Sequence, residues 1–503
     1  MRRWLSAVSV RVTSIAILVG LLATPGGGLG RPRPTEAAQL GLPFFGVALS
    51  SSPGPNAPAE AADLKAGFAS VLFSWSELQP AEGAWDEAAQ ARLDQRVAEL
   101  NAGGVRVVAQ VAAAPTWAAF HLNGPLRPGK SDAYVSFLAR LVARYSTAPF
   151  DVHHWLLWNE PDAVMTPKVK AWADRGAWGD SGAAFADLMR QSYAQIKAAD
   201  PAAVVILGPI AYDFFDDPPP NDPAKAVGGS SPGFNSGGLF KYGFLDDVLS
   251  RLRDVGGGPA FDAIGVNAYV GFSPGWEFDA ARNGRPGTDV AAKIGQLRSR
   301  LGAYGLDVPI LIGEAGFWSS GPTVVLTDGR GNPVPPGDDA VGLDASPRAQ
   351  AEYVAKLYAR ALDAGVAGVA WFSLEEVDPA QGYGLVGASG PKDAYRAYQW
   401  AASVLGDATR GSATDGVAPA VPDAVEAYAF DGGKGRVAVA WAKLYPGMTR
   451  AQALAPRARV AVAPGARAYD LFGQPMPSVG ADDGGRAFYD LTASPVFFVW
   501  PPS

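Results

Sequence analysis

The sequence predicts an α/β protein, with a (β/α)8 TIM barrel over residues 39–406 and a small all-β sandwich over residues 423–503. Eight short apolar or β-branched runs alternate with stretches of helical period as far as Gly406. Beyond that glycine the helical stretches stop. A segment rich in alanine, glycine and proline, 407–422, reads as a linker, and only short strand-like runs follow it.

The predicted strands follow one another at intervals that leave room for a helix after each. They are Phe44–Leu49, Ser70–Phe73, Val105–Val111, Trp155–Trp158, Val204–Leu207, Ala263–Val270, Val308–Ile312 and Gly368–Phe372. Helix-boundary residues agree with this division, since Gly103-Gly104 closes one helical stretch, Ser346-Pro347 opens another and Gly365 closes it. A doubly wound open sheet would alternate similarly. It is disfavoured because no G-x-G-x-x-G loop follows the first strand and because eight strands fit a closed barrel.

The composition excludes several kinds of catalytic group. The chain of 503 residues has no cysteine and 3 histidines, but 49 acidic residues and 14 tryptophans. Disulfides, thiolate metal sites, iron–sulfur clusters and a thiol nucleophile are therefore excluded. We expect carboxylate catalysis without cofactor or metal, and the tryptophans favour a carbohydrate substrate.

Residues 1–38 are predicted to contain a signal peptide. Arg2, Arg3 and Arg11 precede an apolar run from about Ile15 to Ala23 that is too short to span a bilayer, although an uncleaved anchor is the alternative. Small residues at 28–30 and at 37–38 leave the cleavage site open. Without residues 1–38 the net charge is −11, so neither nucleic acid nor a membrane is an expected partner, and the oligomeric state is left open.

Two predicted strands end in a glutamate. The fourth runs into Trp158-Asn159-Glu160-Pro161-Asp162 and the seventh into Ile312-Gly313-Glu314. Active sites of such barrels lie at the carboxyl ends of the strands, so Glu160 and Glu314 are expected to share one cleft. A pair of carboxylates, one protonated and one ionised, is what glycoside hydrolysis requires.

These motifs make residues 40–405 resemble a glycoside hydrolase of clan A, and the Asn159-Glu160-Pro161 signature carries most of this resemblance. The resemblance implies a retaining enzyme with Glu160 as general acid/base, Glu314 as nucleophile and Asn159 bound to the sugar 2-hydroxyl. It also implies that Tyr269, at the end of the sixth strand, hydrogen-bonds the nucleophile.

Segments after the second and third strands, around Trp75 and Trp117, are similar to those of families thirty-nine, five and forty-two. Two positions depart from the clan. The second strand lacks the usual arginine, and Asn267, taken here as a substrate-binding residue, stands where a histidine is frequent.

Four tryptophans at predicted rim positions are candidate sugar platforms: Trp75, Trp117, Trp318 and Trp371. The competing interpretation is that they pack between strands and helices. A long loop, from about Ser319 to Ala345, is expected to shape the subsites. Two other functions stay open: a non-catalytic carbohydrate-binding protein on a decayed barrel, and a barrel lyase or metal-dependent hydrolase, which the scarcity of histidine disfavours. Sugar identity and endo or exo action are not predicted.

Overall fold

The computed structural model describes residues 36–163, 178–211, 241, 243–269, 290–319, 326–327, 333–334, 346–377, 382–411, 416–443, 452 and 454–502. Residues Thr35–Ser503 form one compact unit. Most of the predicted signal peptide and of the loop from Ser319 to Ala345 lies outside the described residues. Of that loop, Leu326–Thr327 and Pro333–Val334 are described and pair as two short antiparallel strands. No helix in the described part of the chain is long and apolar enough to cross a membrane.

Eight parallel strands form a closed barrel in which each strand pairs with its neighbours in the sequence and the last pairs with the first. This confirms the predicted barrel. The strands are β1 Phe45–Ala48, β2 Phe68–Ser74, β3 Arg106–Ala112, β4 His154–Leu157, β5 Val204–Ile210, β6 Ala263–Asn267, β7 Ile310–Ala315 and β8 Gly368–Phe372.

Helices connect the strands and pack around the barrel. They are α1 Glu36–Leu40, α2 Ala57–Asp63, α3 Trp75–Leu78, α4 Glu87–Ala102, α5 Ser131–Tyr145, α6 Gly182–Ala199, α7 Phe244–Val255, α8 Val290–Ala303, α9 Pro347–Asp363 and α10 Asp393–Leu405. The boundary residues act as predicted. Ser346 accepts a hydrogen bond from the N–H of Ala349 to cap α9, and Gly365 follows that helix with φ +73°.

The interior of the barrel is filled by one inward side chain from most strands. These residues form a separate apolar cluster with two residues from the segment before β1 and with Ala367, which directly precedes β8. The cluster contains Leu40, Leu42, Phe68, Val108, Leu156, Ile206, Ala263, Leu311, Ala367 and Ala370. Phe68 is the largest of them, and it fits because β1 carries Gly46 beside it. A Cβ atom on Gly46 would lie 2.1 Å from the Phe68 ring.

The N-terminal segment closes the amino end of the barrel. Glu36 accepts hydrogen bonds from Arg298 of α8 (2.6 Å) and from the N–H of Ile310, which begins β7 (2.9 Å). His154 Nε2 lies 2.7 Å from the carbonyl oxygen of Leu40. This end of the barrel is opposite to the predicted active site, so its histidine has a structural role.

Two antiparallel sheets form the C-terminal domain, which confirms the predicted sandwich. The strands are β9 Thr409–Arg410, β10 Val417–Pro419, β11 Val425–Gly432, β12 Gly435–Ala442, β13 Ala458–Val462, β14 Arg467–Tyr469, β15 Gly480–Ala481, β16 Ala487–Leu491 and β17 Val496–Trp500. The first sheet has the order β9-β11-β12-β17-β14 and the second β10-β13-β16-β15.

Residues 407–422 were predicted as a linker, and here the structure differs. They contribute β9, which pairs with β11, and β10, which pairs with β13. Their glycines and prolines are typical of a loop, but main-chain pairing to strands later in the sequence makes these short segments part of the two sheets.

The central strand of the five-stranded sheet, β12, is buried on both faces. Along β12, Val437, Val439 and Trp441 pack into the barrel's core cluster, whereas Ala438 and Ala440 pack against the other sheet. This explains why β12 has no polar face. The β domain therefore extends the barrel core.

A buried ion pair joins the two parts. Arg360 of α9 donates two hydrogen bonds to Glu426 of β11, at 2.5 and 2.6 Å, and the side chains are 5% and 15% exposed. Burial raises the pKa of Glu426, but the charge and hydrogen bonds of Arg360 outweigh this effect and leave the pKa below its ordinary value.

We predict that Glu426→Ala destabilises the protein by about 3–5 kcal/mol, because Arg360 then stays buried without its carboxylate. Urea unfolding measures this change. Asp490→Ala is the matched control, since it breaks a similar two-bond pair with Arg459 that is exposed, and it should leave stability nearly unchanged. Equal effects of the two variants would contradict the prediction.

Candidate active site

The turn after β4 has an unusual backbone. Trp158 has φ +79° and Glu160 has φ +43°, both in the left-handed region that costs an L-residue roughly 1–2 kcal/mol. Packing of Trp158 compensates for this strain. Its ring is 1% exposed, and its Nε1–H donates to the carbonyl oxygen of Asn123 at 2.5 Å. The turn thereby aims the two residues that follow Trp158 at the carboxyl end of the barrel.

The neighbouring strand β5 supports this turn. The N–H of Glu160 donates to the carbonyl oxygen of Pro209 at 3.0 Å. Gly208 permits the approach, because a Cβ atom there would lie 2.0 Å from the carbonyl oxygen of Leu157. The pairing of β5 with β6 also shifts in register between Leu207 and Ile210. The main chain of β5 therefore positions Glu160.

Asp162 fixes the loop behind the turn. Its buried carboxylate accepts the N–H of Ala211, at 3.0 and 3.1 Å to its two oxygens. Its carbonyl oxygen accepts the N–H of Lys241 at 2.7 Å. These contacts tie the loop that carries Glu160 to the end of β5 and to Lys241.

The structure brings Glu160 and Glu314 together at the mouth of the barrel, and each accepts a hydrogen bond from β6 or the residues just after it. Asn267 Nδ2 donates to Glu160 Oε1 at 2.9 Å, and the Tyr269 hydroxyl donates to Glu314 Oε2 at 2.8 Å. Asn267 is 1% exposed. This buried side chain contacts Glu160, whereas the sequence analysis took Asn267 as a substrate-binding residue.

The two glutamates affect each other's ionisation. Burial and the charge of Glu160 raise the pKa of Glu314, while the hydrogen bond from Tyr269 lowers it. Burial and the charge of Glu314 raise the pKa of Tyr269 well above its ordinary value, so the tyrosine keeps its proton and remains a donor. Because the pKa of Glu314 is raised to about 8, the pair resists double ionisation near neutral pH.

Asn159, the other polar residue of the turn, is half-buried. Its Oδ1 accepts a hydrogen bond from Gln110 Nε2 of β3 at 3.0 Å. Gln110 is a site residue that the sequence analysis missed. Its signal was a single polar residue inside the apolar run from Val105 to Val111.

Two of the predicted platforms are not accessible. Trp75 and Trp371 are each 0% exposed. Trp75 packs against Phe137 of α5 with ring centroids 5.6 Å apart, and Trp371 packs against Tyr353 of α9 at 6.0 Å. Both predictions are wrong because these side chains fill the layer between strands and helices and leave no face for a sugar ring.

On β8 the side chain that faces the mouth is Phe372, the residue after Trp371. Side chains alternate along a strand, and Ala370, two residues earlier, lies inside the barrel. The half-buried Phe372 ring lies 6.3 Å from that of Tyr269 and 6.0 Å from that of Tyr383. Phe372 and Tyr383 are aromatic residues of the site that the sequence analysis did not identify.

The other two predicted platforms are closer to the solvent or to the site. Trp318, 7% exposed, meets Tyr383 with ring centroids 5.6 Å apart, which places it next to the aromatic group around Glu314. Trp117 is half-buried in the loop after β3, and its Nε1–H donates to the carbonyl oxygen of Gln79 at 3.1 Å.

The charged groups around the mouth have partners within the protein. Glu375 accepts the N–H of Gly54 at 2.8 and 3.1 Å, and Glu376 pairs with Lys392 at 2.5 Å. Within the described residues, no group of three or more histidine or acidic side chains is arranged to hold a metal ion. The arrangement can donate one proton from a carboxyl group and attack with the other.

Comparisons with known proteins support the fold. No protein-family model matches the chain, and no curated protein sequence matches it. Among solved structures it is similar to a family 39 glycoside hydrolase from Bacteroides cellulosilyticus, with a TM-score of 0.60 and 17% identity over 91% of this chain and 81% of that one.

Two further structures cover nearly the whole of both chains. A family 30 endoxylanase from Clostridium papyrosolvens has a TM-score of 0.54 and 14% identity, covering 92% of this chain and 98% of its own. A family 39 β-xylosidase from Caulobacter crescentus has a TM-score of 0.52 and 15% identity, covering 92% and 97%. At these identities the likeness shows that the chains share a fold.

We predict that Gly208→Ala destabilises the protein by about 1–3 kcal/mol, because the added methyl group would force β5 away from β4 and from the turn of Glu160. Chemical denaturation measures the loss. Gly295→Ala is the control, because Gly295 lies in α8 with open space around its Cα, and alanine there favours the helix. The idea would be overturned if both variants were as stable as the wild type.

Proposed function

We propose that this protein is a retaining glycoside hydrolase that cleaves O-glycosidic bonds of a polysaccharide or oligosaccharide. The observation that carries the proposal is the pair Glu160 and Glu314, which come from the ends of β4 and β7 and interact in one buried mouth. The similar folds of the family 39 and family 30 enzymes support it.

In the first step of the proposed reaction, the Glu314 carboxylate attacks the anomeric carbon. The bond to the leaving oxygen breaks, and the proton of the Glu160 carboxyl moves to that oxygen. The product is a glycosyl ester on Glu314. The proposed starting state has one proton on the pair, carried by Glu160, while Glu314 is ionised.

In the second step Glu160 is ionised and acts as a base. It takes a proton from a water molecule whose oxygen attacks the anomeric carbon, and the ester bond to Glu314 breaks. Two displacements at the same carbon retain its configuration. The Tyr269 hydroxyl, 2.8 Å from Glu314 Oε2, holds the nucleophile and stabilises its charge when the ester is released.

Asn159 is proposed to bind the sugar 2-hydroxyl, and the rings of Phe372 and Tyr383 to contact the apolar face of the bound sugar. Both proposals rest on the position of these residues beside Glu160 and Glu314.

We predict that Glu314→Gln abolishes hydrolysis, because the amide cannot form the ester. Glu160→Ala should slow cleavage of unactivated glycosides by roughly 10²–10⁴-fold and spare the first step on aryl glycosides with good leaving groups. Assays on xylan, β-glucan, mannan and the corresponding dinitrophenyl glycosides measure both effects. Azide should rescue turnover by Glu160→Ala, since it can replace the water that the base activates.

Glu375→Gln is the matched control, because Glu375 lies at the same rim but binds Gly54, and it should keep wild-type rates. Wild-type activity of either active-site variant on an unactivated glycoside would refute the roles. Binding of a polysaccharide without turnover, and without labelling of Glu314 by a fluoro-sugar inactivator, would favour the non-catalytic alternative.

We also propose that the protein is exported and that its signal is cleaved before Glu36. The contacts of Glu36 with Arg298 and Ile310 belong to the folded barrel, so cleavage after residue 37 or 38 would remove them. N-terminal sequencing of the exported protein is expected to find a start near residues 28–31. A start beyond Glu36, or an uncut chain in the membrane fraction, would contradict this prediction.

A further inference from the structure

Asn267 is placed between the two glutamates of the site. Its side chain donates to Glu160 Oε1 at 2.9 Å, and its Cα pairs in register with that of Glu314 across β6 and β7. The next N–H, that of Ala268, donates to the carbonyl oxygen of Glu314 at 2.8 Å. One residue thus binds the carboxyl of one glutamate and adjoins the backbone of the other.

The backbone of Asn267 is itself held in place. Its carbonyl oxygen accepts a hydrogen bond from Nζ of Lys293 in α8 at 2.7 Å, and Lys293 is 1% exposed. A held backbone leaves rotation of the side-chain amide as the easiest local motion of this residue.

One of the two polar atoms of the Asn267 side-chain amide has no hydrogen-bond partner among the described residues. Asn267 Oδ1 is buried, and no group of the described residues donates to it. A carboxylate can only accept, so the present orientation, with Nδ2 towards Glu160, suits the ionised form. If the amide turned over, Oδ1 would accept the proton of a protonated Glu160 and Nδ2 would take the unused side. In either orientation one polar atom of the amide binds Glu160 and the other faces the unused side.

We propose that Asn267 is a positioning residue that holds the Glu160 carboxyl in both of its protonation states by turning its amide as the proton leaves and returns. This inference rests on the proposed function, in which Glu160 is an acid in the first step and a base in the second. An asparagine can serve both steps because it has a donor and an acceptor of similar reach and does not itself titrate.

Several charged and titratable groups of the described residues lie around Glu160 and Asn267 on the packed elements. The charge of Glu160 raises the pKa of Glu314 on β7, and the Tyr269 hydroxyl binds Glu314. Lys293 lies behind Asn267, and the carboxylate of Asp162 is turned to the N–H of Ala211. The hydrogen bond donated by Asn267 stabilises the ionised form of Glu160, whereas repulsion from Glu314 disfavours that form.

The test compares pH profiles of kcat/KM for the wild type with those of Asn267→Ala, Asn267→Asp and Asn267→His. Asn267 binds both forms of Glu160, but its charge-assisted hydrogen bond to the ionised form is the stronger of the two, so its loss raises the pKa of Glu160. The basic limb should therefore move up by less than about one pH unit in the alanine variant. The aspartate variant adds a like charge and should move it further. Histidine has a ring N–H and should return the limb towards the wild type.

Tyr269→Phe provides the opposite comparison. It removes the donor to ionised Glu314, raises the pKa of that group and should move the acidic limb upward while leaving the basic limb in place. Ser192→Ala is the folding control, because Ser192 is a buried polar residue on α6 away from the site, and both limbs should stay unchanged.

Rates of the two steps test the turning of the amide. Cleavage of unactivated xylo-oligosaccharides is limited by the first step, and turnover of dinitrophenyl β-xyloside is limited by the second. In Asn267→Ala we expect both rates to fall by up to about ten-fold. Slowing of the second step alone would show a donor that serves only the ionised form and would overturn the proposal.

A direct titration separates failure of this inference from failure of the proposed function. Infrared spectra of protein labelled with ¹³C-glutamate report carboxyl protonation without turnover, and Glu160→Gln identifies the band of Glu160. If the wild type hydrolyses no glycoside, the proposed function fails and this titration alone decides the role of Asn267. If Glu160 titrates at the same pH in the wild type, Asn267→Ala and Asn267→Asp, the inference is wrong.

Discussion

Two like charges buried at one mouth repel each other strongly, because little water is present to screen them. Glu160 and Glu314 are in this position, and the residues around them moderate the repulsion. Tyr269 and Asn267 each donate to one carboxylate, and the raised pKa of Glu314 keeps a proton on the pair, which removes one of the two charges. The same repulsion that makes the pair costly keeps one carboxyl protonated and one ionised, which is the state that the proposed reaction starts from.

Close contacts of the main chain set the geometry of this pair. Pro209 of β5 accepts the N–H of Glu160, and its ring fits against the neighbouring strands because β6 and β7 carry Gly265 and Gly313 there. A Cβ atom on either glycine would lie 3.0–3.1 Å from Pro209. Small residues on three adjacent strands therefore allow the left-handed turn after β4, and the turn carries the proposed acid/base.

The β domain stabilises the barrel from outside. Its first sheet covers α9 and α10 with apolar side chains, and Trp400 of α10 packs against Tyr469 of β14, with ring centroids 5.0 Å apart. The buried pair of Arg360 and Glu426 fixes how the sheet sits on α9. The β domain thus supports the scaffold that holds β7 and β8. At β12 the apolar side chains on both faces of the sheet are buried, so none of them is exposed to solvent.

Local patterns in the sequence were sufficient to predict the eight strands, the sandwich and the positions of Glu160, Glu314 and Tyr269. Parallel strands in a closed barrel end at one face, so a residue just after a strand lies at that face. Which side of a strand a residue occupies was decided only by tertiary structure. Trp371 turned outward and Phe372 inward, and Asn267 met Glu160, which lies 107 residues earlier in the chain. These outcomes depend on barrel closure and on contacts between distant segments, and a local pattern of residue types does not carry that information.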